Sequence, residues 1–500
     1  MTIEERAQWA EQVVRAVNAV FPQIEFSVWD KCERLAPSAQ HCAALMDEYG
    51  LSSPEGAWLL NEAGYYLDDR ARYAEAEPLF RRSLAISEQV FGSDGSEVAI
   101  RLNNLANLLR VTNRLDEAEP LMRRALEIGE KTLGSDHPDV AISLNNLAQL
   151  LKDTNRLDEA EPLMRRALKI GEKTLGSDHP SVAIRLSNLA QLLQDTNRLG
   201  EAEPRFRRAL AILQKALGPD HPQVATGFNN LALLLQDTNR LDEAEPIYRR
   251  ALTISEKALG PDHPSVATRL NNLAQLLRDT NRLDEAEPLY RRALQIDERA
   301  YGPHHPEVAT DLNNLAYLLK ATNRLEEAEP LMRRALEIGE RTLGPDHPDV
   351  AIDLSNLAQL LRVTNRLDEA EPLMRRALMI WEKALGPDHP QVATGLNNLA
   401  LLLEATNRLD EAEPLYRRAV AIGERSYGPE HPELAVWLNN FARLLQATNR
   451  LDEAEPLMRR HLEIFWKVTR NTGYEQPPSA RRDRQLHGPP ATDGISAGAD

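Results

Sequence analysis

Cysteine is almost absent from this sequence of 500 residues, which contains only Cys32 and Cys42. Two cysteines cannot cross-link a chain of this length, so a disulfide-stapled scaffold is excluded and a reducing cytoplasm is the expected setting. Aromatic residues make up only 5% of the chain. The abundant Leu and Ala suit close packing of helices on helices, so no β-sheet is expected.

Positive charge is also scarce. The chain has 59 Lys and Arg against 76 Asp and Glu, a net charge of -17. Because phosphate contacts need a clustered basic surface, this balance argues against a nucleic-acid partner and mainly favours solubility. No apolar run reaches membrane-spanning length, and the first residues lack the basic and apolar segments of a signal peptide. We therefore expect neither export nor a membrane partner.

A unit of 42 residues repeats along the chain. A Thr-Asn-Arg triplet recurs with this step from Thr112 to Thr448, and a His-Pro pair recurs with the same step. A constant period of this size indicates a solenoid, in which repeats stack on one another. The repeated histidines are His137, His179, His221, His263, His305, His347, His389 and His431.

Each unit contains two amphipathic helices, which we call helix A and helix B. In the unit that starts at Pro138, apolar residues recur at helical spacing over residues 144–151 and again over residues 157–170. The Asp-His-Pro connector supplies a capping side chain and a proline for the first turn of helix A. Thr-Asn-Arg breaks helix A, and Gly176 is expected to end helix B in the left-handed conformation. The prediction is an all-α fold.

The repeats divide the chain into three predicted regions. Residues 1–53 form a helical cap or linker, with helices near residues 3–20 and 30–48. Residues 54–470 contain ten 42-residue units, of which the first is degenerate, with Leu60-Asn61-Glu62-Ala63-Gly64-Tyr65 in place of Leu-Asn-Asn-Leu-Ala. Residues 471–500 are rich in Gly, Pro and Ser without periodicity, so a disordered tail is predicted.

The order of large and small residues resembles the tetratricopeptide repeat. The long unit with His-Pro and Leu-Asn-Asn-Leu-Ala resembles the kinesin-light-chain type of that repeat. Because helix B is extended, the unit is longer than the usual repeat of about 34 residues. This resemblance implies a right-handed superhelical solenoid of about ten antiparallel helix pairs, with helix A on the concave side. In the second unit the pattern is carried by Leu102, Leu105, Ala106, Leu109, Ala118, Met122 and Ala125.

The N-terminal segment resembles a second family. Phe21-Pro-Gln-Ile-Glu-Phe-Ser-Val-Trp29, followed by Cys32-Glu-Arg-Leu-Ala-Pro37, is similar to the linker between the ATPase part and the repeat sensor of bacterial NB-ARC-type signalling ATPases. The sequence contains no Gly-x-x-x-x-Gly-Lys-Ser/Thr loop to bind phosphates. The resemblance therefore implies a standalone relative or a sensor half, with a P-loop signalling ATPase as a partner.

Residues that could carry chemistry have simpler structural explanations. Each repeated histidine lies in a separate connector, whereas zinc needs several ligands at one point, so we interpret these histidines as turn and cap residues. Asp158 and Glu159 are interpreted as helix-start charges on a solvated face. Cys32 and Cys42 lack a partner histidine pattern. We predict no catalytic residue, no cofactor and no metal.

Paired asparagines on helix A are the main candidates for a binding site. An amide donates and accepts, so a ladder of amides can bind the backbone of an extended peptide. The alternative is that one asparagine of each pair bonds the neighbouring repeat and holds the stack, and both roles can hold for different members. The candidate groove residues are Asn103, Asn104, Asn145, Asn146, Gln149, Asn188, Asn229, Asn230, Asn271, Asn272, Gln275, Arg278, Asn313, Asn314, Tyr317, Asn356, Asn397 and Asn398.

Two positions near these asparagines vary between units. They lie four and seven residues after the first asparagine, as Gln275 and Arg278 do after Asn271. The first of them should share the groove face, because side chains four residues apart lie on one side of a helix. The second makes parts of the groove locally basic. These positions carry specificity if the groove binds a ligand, and drift without selection is the alternative.

The sequence therefore predicts a non-catalytic, cytoplasmic scaffold that binds a protein or extended peptide in its groove. A rigid surface supports such binding, because it loses little entropy when the partner docks. The main alternative is the sensor half of an NB-ARC-type signalling ATPase. An enzyme and an RNA binder are remote alternatives, the latter because stacking aromatics are missing from most groove positions.

Overall fold

A computed structural model describes residues 2–472 of the protein. These residues form 22 α-helices and one 3-10 turn, and none of them lies in a strand. The prediction of an all-α fold built from repeated helix pairs is therefore confirmed. The predicted disordered tail lies outside the described residues from residue 473 onward. Over residues 2–472, no helix is both long enough and apolar enough to cross a bilayer.

Two helices precede the repeated pairs. Helix α1 spans Ile3–Val20 and α2 spans Trp29–Tyr49, with the 3-10 turn at Phe26–Val28 between them. Thr2 caps α1, because its side chain accepts a hydrogen bond from the Glu5 N–H at 3.1 Å while the Glu5 carboxylate accepts from the Thr2 N–H at 2.7 Å. Both helices agree with those predicted near residues 3–20 and 30–48.

Ten helix pairs follow, and helix A has 16 residues in every one of them. Helix B is longer, as the extended unit predicted. The pairs are α3 Pro54–Asp69 and α4 Tyr73–Phe91, α5 Ser96–Val111 and α6 Leu115–Leu133, α7 Pro138–Asp153 and α8 Leu157–Leu175, α9 Pro180–Asp195 and α10 Leu199–Leu217, α11 Pro222–Asp237 and α12 Leu241–Leu259, α13 Pro264–Asp279 and α14 Leu283–Tyr301, α15 Pro306–Ala321 and α16 Leu325–Thr342, α17 Pro348–Val363 and α18 Leu367–Leu385, α19 Pro390–Ala405 and α20 Leu409–Tyr427, and α21 Pro432–Ala447 and α22 Leu451–Thr472.

Above the level of the repeats, the described chain divides into two larger units, residues 2–189 and residues 190–472, which are called the first unit and the second unit from here on. Within a unit, helix A packs along its own helix B and against helix B of the preceding pair. In the second unit, Val266 and Leu270 of α13 pack against Ala293 and Ile296 of α14, and Leu252 of α12 joins them. Equivalent apolar clusters lie at α5 and α6, at α7 and α8, and at α15 and α16.

An asparagine with a positive φ ends helix A. After α7, Asn155 has φ 57°, and its N–H donates to the Lys152 carbonyl at 2.9 Å. The Arg156 N–H donates to the Leu151 carbonyl at 2.7 Å, which completes a Schellman motif and satisfies the terminal carbonyls. Thr154 Oγ1 adds a bond to the Leu151 carbonyl at 3.0 Å. The predicted break at Thr-Asn-Arg is confirmed, and its asparagine carries the left-handed conformation.

The glycine after helix B has a different backbone conformation from the one predicted. Gly176 has φ 90° and ψ 154°. Its φ is positive, but its ψ is extended, so the prediction of a left-handed helical stop at this position is wrong. The observed region is open almost only to glycine. This residue therefore redirects the chain into the connector instead of continuing the helical turn.

The connector histidine caps the following helix A. His137 Nδ1 accepts a hydrogen bond from the Asp139 N–H at 3.2 Å, and Pro138 occupies the first helical position. A proline costs little there because its missing N–H would have no partner in the helix. The predicted role of the histidines as cap residues is confirmed for His137, His179, His221, His263, His305, His347, His389 and His431.

The arginine that opens helix B links two successive pairs. Arg282 binds both carboxylate oxygens of Glu285 in its own helix at 2.7 Å and binds Glu245 of the preceding helix B at 2.7 Å. The neighbouring guanidinium lowers the pKa of Glu285. Because water screens these exposed charges, each pair contributes little to stability. The same link is made by Arg114, Arg156, Arg240, Arg324, Arg366, Arg408 and Arg450.

Candidate functional site

The second asparagine of a helix A bonds the first asparagine of the preceding helix A. In the second unit, Asn272 donates to Asn229 Oδ1 at 2.8 Å, and Asn440 donates to Asn397 Oδ1 at 2.9 Å. These bonds connect residues 43 positions apart and hold neighbouring pairs together. The stack-holding role considered for the asparagines is therefore observed. In the first unit the same bond joins Asn104 to Asn61 and Asn188 to Asn145.

The first asparagine of a helix A can also donate to the next helix A. The accepting side chain lies two residues before the first asparagine position of that next helix A. Asn103 donates to Ser143 Oγ at 3.1 Å, while Asn271 donates to Asp311 Oδ1 at 2.5 Å. Asn313 donates to Asp353 Oδ1 at 2.6 Å. Several of these amides therefore have their donors engaged within the protein.

Burial separates the candidate asparagines into two groups. Asn229, Asn272, Asn313, Asn356 and Asn397 are buried. Their side chains can contact a ligand only after local movement, whereas half-buried amides remain accessible. A direct role in peptide binding stays a prediction for both groups. The half-buried ones are Asn103, Asn104, Asn145, Asn146, Asn188, Asn230, Asn271, Asn314 and Asn398.

The two variable positions are partly occupied by contacts between pairs. Gln149 and Gln275 are half-buried, as a groove-lining residue should be. Tyr317 is instead only 3% exposed, and its hydroxyl donates to Asn356 Oδ1 at 2.9 Å. Lys320 Nζ lies 5.5 Å from the centre of the Tyr317 ring. Tyr317 therefore packs between helices, and its part in recognition stays a prediction.

The positive charge expected along this face is offset by acidic side chains. Arg110 Nη1 lies 2.7 Å from Asp153 Oδ2 in the following helix A. Arg278 Nη2 lies 3.3 Å from Asp279 Oδ1, and both side chains are largely buried. Each of these two cations therefore has a carboxylate neighbour, and a locally basic groove stays a prediction.

Three amide donors on neighbouring helices lack an acceptor within the described protein. They are Asn356 Nδ2 and Gln359 Nε2 of α17 and Asn398 Nδ2 of α19. A buried donor without an acceptor costs about 1–3 kcal/mol, so an incoming carbonyl that accepts from it gains that free energy. Gln359 and Asn398 are half-buried, so their side chains are partly accessible from outside.

A buried acidic pair was missed by sequence reasoning. Asp297 of α14 and Asp311 of α15 are 4% and 1% exposed. Burial raises the pKa of each carboxyl, and Glu307 adds to both shifts. Asp311 raises the pKa of Asp297 further, whereas hydrogen bonds with Asn271 and Asp297 oppose the shift of Asp311. Asp311 lies two residues before Asn313. The residue at this position varies between the 42-residue repeats as much as the two positions considered for specificity. That variation was the signal available in the sequence.

The remaining candidates for chemistry sit in structural positions. Over residues 2–472, no group of three His, Cys, Asp or Glu side chains is placed to hold a metal ion. Burial lowers the pKa of His389 and His431 to about 4, so their rings are neutral acceptors in the caps. Burial also raises the pKa of the Cys32 thiol to about 11. Glu159 is exposed, and its bond to Arg156 lowers its pKa.

Comparison with known families agrees with the repeat geometry. Residues 57–97, 97–173, 153–215, 186–257, 223–299, 270–338, 312–378, 354–424 and 396–465 match the tetratricopeptide repeat. The chain belongs to the tetratricopeptide repeat family. In this tetratricopeptide repeat protein the matched segments run through both units and include every candidate asparagine. Among curated proteins, none matches the chain significantly.

Several solved structures are similar to this tetratricopeptide repeat protein. One, from Podosopora anserina, is of the kinesin light chain type with nearly identical TPR-like repeats; it is 26% identical, with a TM-score of 0.36 over 42% of this chain and 99% of that one. BtubC (BKLC) from P. vanneervenii is 23% identical, with a TM-score of 0.37 over 49% and 90%. A Rap protein complexed with competence and sporulation factor is 14% identical, with a TM-score of 0.50 over 75% and 99%.

Proposed function

We propose that the chain is a non-catalytic scaffold that binds a protein or extended peptide along helix A of successive pairs. The observation that supports this most directly is the pair of half-buried amides Gln359 and Asn398, whose donors have no acceptor in the described protein. An extended peptide presents carbonyl acceptors at regular intervals, whatever its side chains. The half-buried amides offer further donors and acceptors on the same helices.

The sequence of the preferred peptide would be selected at the variable positions. Gln275, Gln359 and Leu401 lie four residues after the first residue of the asparagine pair in α13, α17 and α19, and all three are half-buried. Two are polar amides and one is apolar, so adjacent pairs offer different surroundings to a bound side chain. The scaffold can therefore bind a backbone broadly and still prefer certain residues.

Replacement of three half-buried groove amides by alanine should weaken peptide binding at least tenfold. We expect this for the triple variant Gln275→Ala, Gln359→Ala and Asn398→Ala, measured by fluorescence anisotropy with peptides selected from a random displayed library. Each hydrogen bond contributes about 0.5–1.5 kcal/mol, and about 1.4 kcal/mol corresponds to a factor of ten.

A matched triple variant on helix B controls for the number of changes. Gln295, Glu337 and Met379 are exposed and occupy one register in three successive pairs, so their replacement by alanine should leave affinity unchanged. Thermal melting checks that both variants keep their fold. If no peptide is selected, or if selected peptides bind the groove variant as tightly as the original, the proposed groove is refuted.

A second candidate function is that of a sensor arm acting with a P-loop signalling ATPase. The N-terminal segment that resembles the NB-ARC linker is ordered against the repeats: the Trp29 ring lies 6.5 Å from Tyr66 of α3, and Arg70 lies over Trp29 at 5.2 Å. Such packing gives the segment a defined position from which to contact a second protein.

Affinity capture distinguishes this second candidate. The full chain should retain a P-loop ATPase identified by mass spectrometry, and Trp29→Ala should reduce its recovery several-fold while helix content stays unchanged. Capture of other proteins without any P-loop ATPase would reject the sensor-arm candidate and leave the peptide scaffold standing.

A further inference from the structure

Where two successive helix pairs pack together, one position of helix B faces one position of the next helix A. The second position lies 14 residues later in the chain. We call this contact a joint. Three consecutive joints lie between α16 and α21, and both of their positions are buried in every case. The paired residues are Gly339 with Asp353, Trp381 with Gly395, and Gly423 with Trp437.

Each of these joints fits a glycine against a larger side chain. A Cβ atom on Gly395 would lie 2.9 Å from ring atom Cε3 of Trp381, and a Cβ atom on Gly423 would lie 2.9 Å from Cε3 of Trp437. A Cβ atom on Gly339 would lie 2.9 Å from Asp353 Oδ2. At the two tryptophan joints this approach is closer than packed carbon atoms allow, so the position that faces the ring has room only for glycine. At Gly339 the close atom is the end of the Asp353 side chain, which would have to move to admit a larger residue.

Neighbouring joints differ in which helix carries the large residue. Trp381 belongs to helix B, and its indole N–H donates to the Pro348 carbonyl at 3.2 Å. Trp437 belongs to helix A and faces the glycine of the preceding helix B. The tryptophan therefore lies on helix B in the second joint and on helix A in the third joint.

A third residue changes together with these two. It occupies the first asparagine position of the preceding helix A. Asn313 donates to Asp353 in the first of the three joints, whereas Ser355 stands at this position where the next helix A carries Gly395, which has no side-chain acceptor. In the last joint, Asn397 Nδ2 turns to Asn398 Oδ1 at 3.3 Å. Each joint thus has its own combination of three residues.

Stacking in the wrong order would bring mismatched residues together. If a helix pair were skipped, Gly339 would face Gly395 and leave a hole, or Trp381 would face Trp437 without room for either ring. Many other positions of these pairs are identical: Glu-Ala-Glu-Pro recurs in each helix B, and Asn-Leu-Ala recurs in each helix A except α21. Near-identical repeats are prone to misassembly and to exchange between copies.

We propose that these three positions form a recognition code by which α16 accepts α17 rather than α19, and α18 accepts α19 rather than α21. The code selects the correct successor over the pair that follows it, whether that pair belongs to the same chain or to a second copy. The shared apolar surface supplies the affinity between pairs, and the unequal volumes supply the choice.

The first test is thermal melting of the full chain. Gly395→Trp should lower the melting temperature by at least about 5 °C, because two tryptophans then compete for one space, and Trp381→Gly should lower it by leaving a cavity. The triple variant Ser355→Asn, Trp381→Gly and Gly395→Trp copies the combination of the last joint and should return to within about 2 °C of the original. Failure of the triple variant to recover overturns the claim of complementarity.

The second test separates selection from packing. In the triple variant, Gly339 would be able to face a tryptophan at residue 395 and a glycine at residue 381 would be able to face Trp437, so both skipped arrangements become acceptable. After rapid refolding from guanidinium at about 100 µM, we expect at least threefold more oligomer by size-exclusion chromatography with light scattering. Gly200→Trp, at an exposed site with open space around it, controls for the added indole. Refolding as clean as that of the original, at equal stability, overturns the proposed code.

Discussion

Replacing Asp311 by asparagine should stabilise the folded chain at pH 8 by about 2 kcal/mol, and the gain should shrink toward pH 4. Asp311 lies beside Asp297 in a buried contact, and the further charged neighbours of the pair, Glu307 and Glu298, are acidic. Asparagine keeps the oxygen that accepts from Asn271 and adds an N–H that can donate to Asp297. The substitution therefore removes a buried charge without removing the known bond.

The sign follows from proton binding in the two states. In the unfolded chain, Asp311 ionises in its ordinary range, whereas burial raises its pKa in the folded chain. The folded state therefore binds more protons over the interval between these values, so stability falls as pH rises through it. A neutral amide at residue 311 takes no part in this loss, which is why the benefit grows with pH.

Urea unfolding at several pH values measures this effect. The exposed Asp284 at the start of α14 is a matched control, and its replacement by asparagine should change stability by less than about 0.5 kcal/mol. Asp353 should behave like Asp311, because burial raises its pKa to about 8. A pH profile of Asp311→Asn parallel to that of the original chain would contradict the account of the acidic pair.

Asn272→Asp should destabilise the second unit by about 3 kcal/mol at pH 7. The Asn272 amide is 5% exposed and donates to Asn229 Oδ1. A carboxylate has almost the same shape but offers only acceptors, so it would bring two oxygens together and bury an uncompensated charge. Protonation restores a donor, and the loss should therefore diminish as pH falls from 7 to 4.

Denaturant melts of Asn272→Asp and Asn230→Asp compare the two positions. Asn230 follows Asn229 in α11 and is half-buried. A charge at residue 230 should cost less than about 1 kcal/mol, because water can still solvate it. Equal losses at both positions would show that burial in the amide ladder does not set the cost. No loss at residue 272 would show that the bond to Asn229 contributes nothing to the stack.

Local features of the chain were predictable because they depend on residues close in sequence. The helices, the turn at Thr-Asn-Arg and the caps at His-Pro follow from spacing, from proline geometry and from short-range hydrogen bonds. The exception is Gly176, whose ψ depends on where the connector must go to reach the next pair. A positive φ could be expected from a glycine at a helix end, but its ψ could not.

The candidate site was predictable only in part. The paired asparagines were identified, and so were the two roles they can have. Which role each one has depends on its neighbours in another pair: Asn271 donates to Asp311, 40 residues away, and Asn272 to Asn229, 43 residues away. The distance along the sequence says nothing about which of these atoms meet.

The sequence by itself determined the period, the helix pairs and the positions of the caps, since each of these is set by contacts within a few residues. Only the tertiary structure decided which amides are buried, why Asp311 has a raised pKa, and why Gly395 must remain a glycine beside Trp381. The physical reason is that burial and steric fit depend on how one helix pair lies against the next, and most of that surface is the same in every repeat.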